Sequence, residues 1–98
     1  MEGHSVISAD VLARYAADAA REVDGVHGLV GRNEGVKVSR EDERVGLELH
    51  VELQWGANAV VVGGAVQAHV ADCLARMADV RPHTIDVVVD EWHSASPA

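Results

Sequence analysis

Carboxylate and imidazole side chains recur at every second position in Glu48-Leu49-His50-Val51-Glu52. Alternate residues of an extended chain share a face, so Glu48, His50 and Glu52 form one polar row. Asp86 and Asp90 have the matching parity on the last predicted strand. Such oxygens and ring nitrogens suit a divalent metal. Same-face neighbours on one strand nevertheless sit roughly 6–7 Å apart, too far to converge on one ion unaided. A solvated acidic face explains the row more simply, and no metal or cofactor ligand is assigned from it.

Gly25-Val26-His27-Gly28 matches the GxxG pattern with which KH domains clamp a nucleic-acid backbone. Here the segment would join a helix to a strand rather than two helices, and Glu22 and Asp24 flank it with negative charge. A helix stop followed by a turn is the better reading. Cys73 falls on an apolar helical stripe beside Leu74 and Met77, as a buried inert thiol would, although His69 lies one turn away. No Ser/His/Asp arrangement and no phosphate-cradling glycine loop after a strand is present, so no catalytic residue is assigned. Trp55 and Trp92 close their predicted strands; each reads as a lid on the core or as an interface anchor.

The elements that position these residues are legible from periodicity. Ser8 and Asp10 open a helix running to about Glu22, with Val11, Leu12, Tyr15, Ala16, Ala19 and Val23 at helical spacing, and Gly25 ends it. The four glycines between Gly25 and Gly35 predict a loop. Val36 and Val38 predict a short strand, Glu41-Asp42-Glu43 a charged turn, and Val45 to Trp55 a long strand with one apolar face. Asn58 caps a second helix to about Ala78, carrying Val62, Val66, Val70, Cys73, Leu74 and Met77 on one stripe. Gly63-Gly64 should fray its start, at about 1 kcal/mol per glycine. Ile85, Val87 and Val89 mark the last strand.

These elements predict a single two-layer α+β domain in the order helix-strand-strand-helix-strand. Its three-stranded mixed sheet carries both helices on one face. The second helix is the crossover between two parallel strands, while the neighbour of the last strand in the sheet stays open. The domain is expected over residues 6–93, with a flexible N-terminus at 1–5 and a disordered tail at 94–98.

The composition narrows the partners. Sixteen acids against eight bases give the 98 residues a net charge of −8, poor equipment for phosphates or for an anionic membrane leaflet. One cysteine allows no internal disulfide, and no apolar stretch is long enough to span a bilayer. With no signal-peptide core at the start of the sequence, a cytoplasmic protein without direct membrane insertion is expected. A three-stranded sheet also has two open edges. No proline blunts the strands and Lys37 is their only lysine, so a homo-oligomer is expected.

Ile7-Ser8-x-Asp10-Val11-Leu12, Glu22-Val23-x-Gly25-Val26-x-Gly28-Leu29, Val45 to Val51, Trp55-Gly56-x-Asn58, Val66-Gln67-x-x-Val70 and Ile85 to Val89 occur in an order and spacing that carry further information. Together they resemble the alkaline-shock-protein family of envelope stress response proteins (Gls-type general stress proteins), over about Val6 to Val89. The resemblance implies a small, non-enzymatic, cytoplasmic protein held near the inner side of a bacterial membrane by a membrane-anchored partner. It also implies a role in envelope homeostasis or stress response, and no catalytic residues. Two other readings remain beside it: a KH-like nucleic-acid module using the Gly25–Gly28 loop, and a small metal or ligand binder on the acidic sheet face.

Overall fold

The Ser8 hydroxyl accepts the Val11 amide at 3.1 Å and opens helix α1 (Ala9–Arg21). A cap of this kind contributes about 1 kcal/mol. The computed structural model describes residues 7–93, so the expected flexible N-terminus at 1–5 and tail at 94–98 lie outside the described residues. The buried face of α1 is Leu12, Ala13, Ala16, Ala17, Ala19 and Ala20. Val11, placed on the stripe by spacing, is exposed instead. At about 100° per residue, positions 12, 13, 16, 17, 19 and 20 share one arc of the helix, and Val11 falls outside it.

Four strands follow in chain order: β1 (Val26–Leu29), β2 (Val36–Glu41), β3 (Arg44–Leu53) and, after helix α2 (Ala59–Ala78), β4 (Thr84–Trp92). β2 and β3 form an antiparallel hairpin across the two-residue turn Asp42-Glu43, from Glu41↔Arg44 to Val36↔Leu49. β4 runs parallel to β3 along its other edge, from Gly46↔Thr84 to Leu53↔Trp92. This answers the question that periodicity left open: the last strand lies beside the hairpin's second strand.

The sheet has four strands where three were expected. β1 pairs antiparallel with the end of β3, from Val26↔Leu53 to Leu29↔Val51, and so continues the edge that β2 occupies nearer the hairpin turn. This segment was expected to be a loop. It is short, contains Gly28 and is interrupted by a bulge, so it has no alternation to read. Its pairing comes entirely from β3, which is distant in sequence.

The β3 side chains Leu47, Leu49, Val51 and Leu53 are buried, and Val36, Val62, Val66, Val70 and Leu74 join them with the alanines of α1 in one core. Both helices therefore cover one face of the mixed sheet, as expected. Each fully buried leucine or valine contributes roughly 1.5–3 kcal/mol of transfer free energy. Asn58 caps α2 through bonds from the Val60 and Val61 amides at 3.0 and 3.1 Å. The helix runs unbroken through Gly63 and Gly64, so their propensity cost does not divide it.

Two further boundaries differ from expectation. β3 ends at Leu53 rather than Trp55, because Trp55 and Gly56 form a turn that the Ala57 amide closes by donating to Gln54 O at 3.0 Å. Met77 is exposed, since the buried stripe of α2 ends with Leu74.

Candidate functional site

The outer face of the sheet, opposite the helices, carries the polar side chains. Glu48, His50 and Glu52 alternate on it along β3, and the structure divides them between two constellations. In the first, His50 Nε2 lies 2.6 Å from Glu48 Oε2 and its Nδ1 lies 2.8 Å from Asp90 Oδ2. A neutral imidazole has one N–H, so it could serve only one of these acceptors; the imidazolium serves both. Hydrogen bonds to Glu48 and then Asp90 accordingly raise the His50 pKa above its ordinary 6.5, with partial burial opposing them. Beside this triad lies an open depression of about 470 Å³ between the outer face and the loop leading into β2, where Arg32 and Lys37 bring positive charge opposite Asp90.

The second constellation surrounds Glu52. His27 from β1 and His93, which follows β4, stack with ring centroids 3.8 Å apart and planes inclined by 9°. His93 Nδ1 lies 3.5 Å from Glu52 Oε2. One ligand atom from each of His27, Glu52 and His93 falls within 4.8 Å of the others.

Two β-bulges build this group. Between β1 and β3 the register passes from Val26↔Leu53 to Gly28↔Glu52, which leaves His27 as the extra residue. Between β3 and β4 it passes from Val51↔Val89 to Glu52↔Glu91, which leaves Asp90 as the extra residue. Unbroken alternation from Val87 and Val89 would put His93 on the core side. The one-residue slip puts it on the outer face with Glu52.

Of the residues singled out from sequence, Glu48, His50 and Asp90 therefore meet. Glu52 joins a different pair, and Asp86 stays exposed at the register position of Glu48. His27 and His93 were missed as members of a site, because bulges leave no trace in hydropathy alternation. The available signal was a polar histidine at the margin of each strand flanking Glu52.

Gly25 is a turn residue and Gly28 pairs within β1, so no free loop is left to clamp a nucleic-acid backbone as the KH-like reading requires. His69 does not approach Cys73 as a base: its Nε2 meets Glu22 Oε1 at 2.7 Å, tying α2 to the end of α1. Cys73 is half-buried rather than buried; its thiol packs 3.6 Å from the Met77 sulfur, and desolvation pushes its pKa up, away from a reactive thiolate. Trp55 and Trp92 are not lids on the core, being 69% and 45% exposed. Val60 and Val61, in the first turn of α2, are 84% and 66% exposed. β4 runs parallel to β3 and α2 starts just beyond β3, so all four side chains belong to one end of the domain. Among the described residues no helix is long and apolar enough to cross a membrane.

The chain is similar in fold to solved structures of MamM CTD. A variant in its manganese form shares 17% identity with a TM-score of 0.66, covering 86% of this chain and 99% of that one. A zinc form shares 15% identity with a TM-score of 0.66, covering 91% of each chain. A further variant, at 15% identity, reaches a TM-score of 0.70 over 94% of this chain and 92% of that one. At these identities the likeness is one of fold alone. No curated protein sequence matches the chain significantly. The family is shown by sequence rather than by fold: residues 1–93 match the model of the alkaline shock protein 23 family, described as having a cell envelope-related function, and the chain belongs to that family.

Proposed function

We propose that the chain is a non-enzymatic, self-associating interaction protein in bacterial cell-envelope homeostasis or stress response. It acts at the cytoplasmic side of the membrane through a membrane-anchored partner. The observation that carries this reading is the exposed apolar end formed by Trp55, Trp92, Val60 and Val61. Large apolar side chains gathered at one exposed place mark contact surfaces, and tryptophan is the residue that most often dominates their energetics. Family membership supplies the envelope context. The net charge of −8 favours a protein partner over direct docking on anionic lipid.

Electrostatics favours this end over the sheet face for self-association. Stacking two outer faces would bring Glu48, Glu52, Asp86 and Asp90 of each copy together, whereas the tryptophan end avoids that repulsion. Sedimentation velocity from about 10 to 300 μM tests the reading, because mass action drives a weak association across such a range. The sedimentation coefficient should rise with concentration in the parent chain and stay at the monomer value in Trp55→Ala/Trp92→Ala. A parent chain that remains monomeric throughout would overturn self-association, leaving at most a monovalent adaptor.

A further inference from the structure

We infer that His27, Glu52 and His93 form a binding site for one divalent first-row transition metal of the zinc class. Three observations converge on it. The ligand atoms of the three side chains already lie within 4.8 Å of one another. They come from three separate segments: the β1 bulge, the outer row of β3 and the residue after β4. Both bulges fall at the register step beside Glu52, one on each side of β3, and they bring an imidazole to each flank of that carboxylate. Bulges are a recurrent means of re-aiming a side chain into a site.

The donor set selects the ion. Two imidazole nitrogens and one carboxylate oxygen suit zinc and its neighbours, whereas calcium and magnesium prefer oxygen alone. Bond lengths of about 2.0–2.2 Å in a tetrahedral arrangement need ligand atoms about 3.3 Å apart. His93 Nδ1 and Glu52 Oε2 are already at 3.5 Å. The remaining adjustment is a rotation of exposed imidazoles, which nothing in the core resists. Two imidazole rings stacked at 3.8 Å and the carboxylate beside them can share one dication. Glu91, the register partner of Glu52, adds negative charge to the same face. Three protein ligands leave one tetrahedral position open to water or to a donor from another molecule.

His50 provides the internal control, since its nitrogens are engaged by Glu48 and Asp90. Zn²⁺ alone, titrated calorimetrically into the full chain near neutral pH, should bind at one ion per chain. His27→Gln and His93→Gln should each weaken binding at least about tenfold, since losing even a group that only orients a ligand costs that much. His50→Gln should leave it within about twofold, far below the effect expected of a ligand. In the parent chain, long-range ¹⁵N–¹H spectra should show the His27 and His93 ring nitrogens shifting with Zn²⁺ while those of His50 stay in place. This second measurement needs no variant. The inference is overturned by an absence of saturable binding up to about 1 mM, the weak limit of specific affinity. It is equally overturned by affinity that survives both substitutions, or by shifts confined to other histidines.

Discussion

His50 on β3 and Asp90 on β4 meet at 2.8 Å across the outer face of the sheet, although they are not register partners. The ladder neighbour of His50 is Val88, and Asp90 is the residue that the bulge leaves unpaired. The carboxylate therefore has the freedom to reach one ring nitrogen while Glu48 takes the other.

The first prediction follows from that contact. The His50 pKa is raised in the folded chain, so the folded state holds its proton more tightly than the unfolded state. The stabilisation is fully present below the unfolded pKa of about 6.5, while both carboxylates stay ionised, and it is lost as pH rises through the higher folded pKa. Urea denaturation at about pH 6 and pH 8.5 should therefore show a loss of stability at the higher pH. In His50→Gln this component should vanish. An NMR titration placing His50 at or below 6.5 would contradict it.

Truncation should separate the buried middle of β3 from the turn beyond its end. Leu49 is fully buried at the centre of the sheet, and Leu49→Ala should cost about 2–5 kcal/mol. Trp55→Ala removes an exposed side chain in a turn and should stay within about 0.5 kcal/mol. Chemical denaturation of dilute monomer compares them. A Leu49→Ala loss below about 1 kcal/mol would place that side chain outside the core.

Two glycines should also separate. Gly35 has φ +78°, and an added Cβ would lie 2.9 Å from Val30 O and 3.0 Å from His50 O, both backbone atoms. Gly35→Ala should therefore cost about 2 kcal/mol or more, through the left-handed backbone and the close approach together. Gly64 sits in open space inside α2, and Gly64→Ala should stabilise by roughly 0.5–1 kcal/mol. Thermal melts of both variants would show the opposite signs.

The Gly25–Gly28 segment should not bind nucleic acid. Gly28 is paired with Glu52 in the sheet, and the chain carries a net charge of −8. Fluorescence anisotropy with single- and double-stranded oligonucleotides should show no saturation below about 100 μM at physiological salt. Sub-micromolar binding abolished by Gly28→Asp would revive the KH-like reading.

The amino-acid sequence by itself determined whatever depends on local periodicity. α1 and α2 with their caps Ser8 and Asn58, the β2–β3 hairpin, the apolar face of Leu47, Leu49, Val51 and Leu53, and the family all follow from residues close together in the chain. The polar row Glu48, His50 and Glu52 was legible for the same reason. Only the tertiary structure decided how that row is divided. β1 exists because β3 offers it a partner, and the side chains of His27 and His93 reach Glu52 because each flanking strand gains one residue against β3. A bulge reverses the parity of everything beyond it while leaving the residue types unchanged. Alternation counted along one strand therefore predicts the core correctly up to Val89 and assigns His93 to the opposite face from the one it occupies.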